Sequence, residues 1–174
     1  MNAMLEKSLP TPERLEVQSG NVRLAVWRWG EPHLPMLLFV HGYPDNREVW
    51  LPLIRQLAGR YQLVAYDVRG AGESDKPRKT RDYRLELLSQ DLRAVLDAVS
   101  PQRAVHLVAH DWGSIQTWES VTDPQLRTRI ASYTSVSGPC LDHVGFWMRD
   151  RLRRKTPRAL LQVASQLLHS WYIY

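Results

Sequence analysis

The stretch Val105-His106-Leu107-Val108-Ala109-His110-Asp111-Trp112-Gly113-Ser114 passes from a short apolar run rich in β-branched residues into a segment able to start a helix, with no linker between them. A strand that runs directly into a helix needs a sharp turn, and Asp111 sits at its apex, with Ala109 two residues before it and Gly113 two residues after. Small residues at those positions let a strained turn close and leave the middle side chain standing clear of the sheet. A carboxylate, with a reference pKa of about 3.9, is ionised at neutral pH and needs no base before it attacks, which suits displacement at carbon better than acyl transfer. As a plain turn or helix-capping residue, Asp111 would instead direct its oxygens to nearby backbone N–H groups.

Strand and helix patterns alternate around this turn. Arg14 to Val17 and Val22 to Trp29 alternate apolar and polar residues about Ser19-Gly20-Asn21, a hairpin signal. Met36 to Val40 is apolar on both faces, as a buried central strand is. Helical spacing follows at Trp50, Leu53, Ile54 and Leu57 and stops at Gly59. A strand over Tyr61 to Val68 opens into Arg69-Gly70-Ala71-Gly72-Glu73-Ser74-Asp75-Lys76-Pro77, and Leu85, Leu88, Leu92, Val95, Leu96 and Val99 then mark one face of a helix. After the Asp111 turn come a helix from near Gly113 to Val121 and a strand, Ile130 to Val136. The expected fold is α/β over residues 1–137, a mostly parallel sheet behind an antiparallel N-terminal hairpin. From 138 to 174 only helical patterns remain, at Val144, Trp147, Met148 and Leu152 and again from Leu160 to Leu168. The sequence then stops at Trp171-Tyr172-Ile173-Tyr174 with no capping signal, which reads as a cut.

Composition narrows the function classes. Of 174 residues, 44% are hydrophobic and 24% charged, the balance of a globular core. The net charge of +5 owes much to Arg149-Asp150-Arg151-Leu152-Arg153-Arg154-Lys155-Thr156-Pro157-Arg158. A short basic run interrupted by leucine reads as the wet face of a helix rather than a nucleic-acid surface. The single cysteine, Cys140, leaves no intramolecular disulfide and no Cys/His metal cluster, so a cytoplasmic protein without metal or cofactor is expected. Residues 1–10 lack the basic and apolar regions of a signal peptide, and no apolar run approaches the ~18 residues that span a bilayer.

Four stretches, in order, carry a family resemblance: His41-Gly42-Tyr43-Pro44, Asp67-Val68-Arg69-Gly70-Ala71-Gly72-Glu73-Ser74-Asp75, His110-Asp111-Trp112-Gly113 and Tyr172-Ile173-Tyr174. With them the chain resembles the N-terminal part of an α/β-hydrolase-fold enzyme, close to the epoxide hydrolases, with residues 138–174 as the start of a helical lid. The resemblance implies that Asp111 attacks an epoxide carbon of a small hydrophobic substrate to form an alkyl ester. It makes the backbone N–H groups of Tyr43 and Trp112 an oxyanion hole, and Tyr174 the acid that donates to the epoxide oxygen. His41, Gly42, Pro44, His110 and Gly113 are then supporting residues of the motifs. In this fold the triad acid and histidine follow later strands. None of the six histidines is therefore expected to act as the base: His106 alternates into the sheet, and His143 and His169 fall in the lid. A chain without those two residues is alkylated at most once and does not turn over.

Rival readings separate on single residues. A serine hydrolase would need its hydroxyl at the apex, whereas Ser114 follows Gly113 and is expected to point along the helix. Haloalkane dehalogenases resemble the chain at Asp-Trp-Gly but usually carry Asn where Tyr43 stands, and fluoroacetate dehalogenases favour Arg where Trp112 stands. A non-catalytic binding module on the same scaffold is opposed by the retained Asp111. A non-functional fragment, with an open sheet edge and an uncovered apolar face, would tend to aggregate. Residues 138–147 also resemble the hydrolase half of bacterial two-domain proteins that continue into a short-chain dehydrogenase. Gly70 and Gly72 form no dinucleotide fingerprint.

Overall fold

The strand Met36–Val40, β3, lies inside a six-stranded sheet whose order is β1-β2-β4-β3-β5-β6 in a computed structural model that describes Leu9 and residues 11–170. The other strands are β1 (Glu13–Ser19), β2 (Val22–Trp29), β4 (Gln62–Tyr66), β5 (Val105–His110) and β6 (Ile130–Val136). β1 pairs antiparallel with β2 and β2 with β4, while β3, β4, β5 and β6 pair in parallel. The fold is thus the mixed, mostly parallel sheet with an antiparallel N-terminal hairpin that the alternation predicts.

Side chains alternate across a strand, and the continuous apolar runs of β3 and β4 supply both faces of the sheet. Leu38 and Val40, with Val64 and Tyr66, pack into one core; Phe39, with Leu63 and Ala65, packs into the other. Helix α2 (Leu85–Val99) closes the first core with Leu92, Val95 and Leu96. It lies beside α3 (Trp112–Thr122), and the Ser89 and Ser120 hydroxyls meet at 2.8 Å between them. The second core is closed by Trp50 and by Ile54 of α1 (Leu51–Leu57), with Trp50 tilted against Phe39 at 5.1 Å. Truncating Phe39 to alanine would cost about 3–5 kcal/mol, because both transfer energy and cavity terms are lost at a site with no exposure.

The elements begin and end where local chemistry changes. Pro52 occupies the first turn of α1, where its missing N–H costs nothing, and Gly59 (φ 81°) turns the chain out of it. β4 stops at Tyr66, two residues short of the expected end, because beyond it the Val68 N–H is taken by the His41 ring. β6 lies at the sheet edge and most of its residues are exposed.

From Pro139 onward the described residues form a second compact unit. Its described helices are α4 (Leu141–Arg154) and α5 (Pro157–His169), separated by Lys155 in the left-handed region and by Thr156, whose hydroxyl accepts from the Ala159 N–H. Arg151, Arg153 and Arg154 fall in the last turn of α4, where cations oppose the helix dipole. Phe146, Leu161 and Leu168 are exposed. No described helix is long and apolar enough to cross a membrane, and no group of three or more His, Cys, Asp or Glu among the described residues could hold a metal ion.

Candidate active site

Between β5 and α3 the chain reverses on one residue. Asp111 has φ 54° and ψ −129°, a conformation that a side chain with a Cβ adopts at a cost of order 1–3 kcal/mol. The turn is held from both sides. Its N–H donates to the Val136 carbonyl at 2.9 Å, and its carbonyl accepts from Ser114 N and Ile115 N at 2.9 and 3.1 Å as α3 begins. Gly113 is small because a Cβ there would lie 2.6 Å from the Val40 carbonyl oxygen, and one on Gly138 would lie 2.6 Å from that of Asp111. Asp111 stands at the N-cap of α3 yet makes no capping bond. Its Oδ1 accepts instead from the backbone N–H of Tyr43 at 3.0 Å.

That N–H arrives on the loop after β3. His41 has no exposed surface; its Nδ1–H donates to the Gly42 carbonyl at 2.9 Å, and Nε2 accepts from the Val68 N–H at 3.0 Å. Both ring nitrogens are thereby committed, which fixes one neutral tautomer. Burial lowers the pKa of His41, opposed by the bond to Gly42 and by the charges of Asp67 and Asp45. At Gly42 a Cβ would lie 2.7 Å from both Asp111 Cβ and Trp112 N, so only glycine lets the loop reach the turn. The Tyr43–Pro44 peptide is cis. The Tyr43 and Trp112 side chains are 78% and 47% exposed, so both rings stand at the surface beside the carboxylate.

The loop after β4 backs this one. Asp67 is fully buried and accepts from Arg47 N at 2.9 Å, Glu73 N at 2.8 Å and Arg47 Nη1 at 3.2 Å. The Arg47 guanidinium also lies over the Trp27 ring, 3.4 Å from its centroid. Gly72 (φ 47°) passes so close to the Asp67 carboxylate that a Cβ could not be accommodated. Arg69 forks onto Asp91 of α2, with Nε–Oδ2 at 2.7 Å and Nη2–Oδ1 at 2.6 Å, and its Nη1 donates to the Asp82 carbonyl at 2.7 Å. The Asp91 carboxylate raises the Arg69 pKa against the opposing effect of burial.

These two loops, α3 and Tyr83 enclose a cavity of about 480 Å³. Gly42, Tyr43, Trp112 and Gly113 carry its wall up to the elbow, although Asp111 itself is not part of that wall. Of the expected residues, the structure therefore brings together His41, Gly42, Tyr43, Pro44, Trp112 and Gly113 around the cavity and sets Asp111 at its edge. His110, half-buried at the end of β5, has no hydrogen-bond partner among the described side chains. Tyr174 and Tyr172 lie outside the described residues. No histidine among the described residues hydrogen-bonds Asp111, and His106 bonds Ser132 Oγ at 2.8 Å.

One expectation is corrected. The Ser114 hydroxyl does not run along the helix; it is buried below the turn, 2.9 Å from the Tyr133 hydroxyl, 2.5 Å from Ser135 Oγ and 3.2 Å from the Gly138 carbonyl. Sequence reasoning also passed over Arg47 and Asp91, and it quoted Asp67 and Arg69 in a motif without giving either a role. Asp91 carried a readable signal: an acid between Leu88, Leu92 and Val95 on the apolar face of a helix is buried and needs a cation.

A family model described as alpha/beta hydrolase fold matches residues 35–168. The chain is 40% identical over 161 residues to the probable oxidoreductase EphD of Mycobacterium bovis, covering 92% of this chain and 27% of that protein. It is 38% identical over 131 residues to epoxide hydrolase A of Mycobacterium tuberculosis, covering 74% of this chain and 39% of the other. The crystal structure of an epoxide hydrolase from Vigna radiata superposes with a TM-score of 0.68 at 32% identity, covering 76% of this chain and 42% of that one. The chain thus spans between about a quarter and two fifths of the length of these relatives. With a sheet order, an elbow and a match of this kind, the chain belongs to the α/β-hydrolase fold family and is epoxide hydrolase-like within it.

Proposed function

We propose that Asp111 opens an epoxide ring by direct attack at carbon. The observation that carries this reading is the state of its carboxylate: Oδ1 is held by the Tyr43 N–H, while Oδ2 accepts no hydrogen bond from a described residue. One oxygen is oriented and the other is free to act as nucleophile. In the step proposed, Oδ2 forms a bond to an epoxide carbon as that carbon's bond to the ring oxygen breaks. The electron pair leaves on the oxygen, which takes a proton, and Tyr174 is the proposed donor. The product is a hydroxyalkyl ester of Asp111. If water then attacks the ester carbonyl, the N–H groups of Tyr43 and Trp112 are proposed to receive the developing charge.

That second step needs a base, and no described histidine is hydrogen-bonded to Asp111. The proposed activity of this chain alone therefore ends at the ester. The epoxide hydrolases among its relatives support the substrate class, and the exposed rings of Tyr43 and Trp112 support an apolar substituent. The EphD relative is named a probable oxidoreductase and this chain covers 27% of it, which supports a further proposal that the hydrolase unit works beside an oxidoreductase domain.

The test is to incubate the chain with styrene oxide, digest it and weigh the peptides. A gain of one epoxide on the peptide holding Asp111, absent in Asp111→Asn and absent with a chloroalkane of similar size, is the expected result. An adduct that persists in Asp111→Asn, or none on that peptide, overturns the reading.

A further inference from the structure

Most polar side chains around the cavity are already committed. Tyr83 donates its hydroxyl to the Pro77 carbonyl at 2.7 Å, Arg69 is bound by Asp91 and the Asp82 carbonyl, and both His41 nitrogens are engaged. Asn46 Oδ1 accepts from the Glu48 N–H at 2.8 Å, and Asp45 lies half-buried. Gln116 is different. It belongs to the cavity wall, only 8% of it is exposed, and its amide has no hydrogen-bond partner among the described residues. Nor is the amide sealed, since the described side-chain atoms that are both sealed and unpartnered are on Trp29, Trp50, Arg129 and Arg151. As a lining residue, Gln116 turns part of its remaining surface to the cavity.

An amide that is open to the cavity and has no protein partner is left to water, and a ligand group that brings its own donor or acceptor can take that water's place. Unlike His41, Arg69, Tyr83 and Asn46, whose polar atoms are bound within the protein, the Gln116 amide is left available to a polar group of a ligand in the cavity. We propose that Gln116 is a specificity-determining residue that selects ligands carrying a second oxygen, a hydroxyl or a carbonyl, in addition to the reacting group. Gln116 lies four residues beyond Trp112 on α3, which places the selected oxygen roughly 6 Å along the helix from the elbow. The inference deepens the epoxide reading and rests on it for the reacting group: the substrate is an oxygenated epoxide rather than a plain hydrocarbon one. Selection of this kind works by leaving the amide unpaired when the oxygen is missing.

The test uses two unreactive probes of similar shape, 3-phenyl-1-propanol and propylbenzene, titrated into the full chain and followed by amide NMR. In the native protein the Gln116 side-chain NH2 resonances are expected to move with the alcohol and not with the hydrocarbon. The ratio of the two dissociation constants is expected to shift toward the hydrocarbon by about fivefold in Gln116→Leu, the worth of one neutral hydrogen bond. Gln116→Met, of similar volume, gives the same shift and guards against a local packing failure in the first variant. An unchanged ratio in both variants, or no response of cavity residues to either probe, overturns the proposal. Neither probe can alkylate the protein, so failure of Asp111 to form an ester leaves this result standing, and the reverse holds as well.

Discussion

The N–H of Tyr43 donates to Asp111 Oδ1 at 3.0 Å, joining the loop after β3 to the turn after β5 across 68 positions of sequence. The bond exists only because Gly42 lets the two backbones approach, with a Cβ there falling 2.7 Å from Trp112 N. Gly42→Ala is expected to push the loop away, lower the rate of Asp111 alkylation at least tenfold and cost about 1–3 kcal/mol of stability by overpacking. Timed peptide mass analysis and urea denaturation read the two effects separately; an unchanged rate refutes the orienting role of the loop.

Strain at the apex is open to measurement. At φ 54° and ψ −129° a Cβ is unfavourable, so Asp111→Gly is expected to be more stable than Asp111→Ala by about 1–3 kcal/mol. Both variants lose the same carboxylate, and the difference between their denaturation midpoints isolates the backbone. An Asp111→Ala variant more stable than Asp111→Gly by about 0.4–1 kcal/mol, the usual gain at an unstrained site, would mean that the turn carries no strain.

Arg69 and Asp91 form a buried fork, with side chains 4% and 3% exposed. Removing one partner strands the other, so Arg69→Met or Asp91→Leu alone is expected to cost about 3–5 kcal/mol, while the double variant recovers much of it. A double-mutant cycle by chemical denaturation checks this, and additive losses would contradict it.

His41 makes stability depend on pH. Its pKa is lowered by burial from the ordinary value of 6.5, so below that value the unfolded chain binds a proton that the folded chain refuses. The contribution is complete above pH 6.5 and is lost as pH falls toward the depressed folded value, by up to about 1.4 kcal/mol for each pH unit. The urea midpoint is expected to fall on acidification, and the His41 ring resonances to stay those of a neutral tautomer below pH 6.5. Titration of His41 at its ordinary value would disprove the linkage.

The strands and the elbow were legible because each rests on a local pattern: apolar runs for β3, β4 and β5, and Ala109-x-Asp111-x-Gly113 for the turn. The second loop was visible as a run of glycines around Asp67, but not the direction of that carboxylate. One partner, the Glu73 N–H, is in the same loop, but Arg47 comes from another segment, and nothing in periodicity ranks one arginine above another. Ser114 was misread for a related reason. A hydroxyl one turn into a helix has an ordinary local environment, and only the arrival of β6 and Gly138 supplies its partners. The unpartnered amide of Gln116 is equally silent in sequence, where it is one polar residue on a helix flanked by Ile115 and Thr117.

The Asp111 N–H is satisfied by the Val136 carbonyl, and Gly138 is seated against the carbonyl of the same residue. Completion of the turn therefore depends on chain that follows it by more than twenty residues. During synthesis, which proceeds from the N-terminus, a nascent chain ending near Thr122 has Asp111 in its sequence but lacks the acceptor that anchors its backbone. The backbone of the turn gains its anchor only when residues 130–138 emerge and dock, so the elbow is completed late, after the strand and helix that flank it are already made.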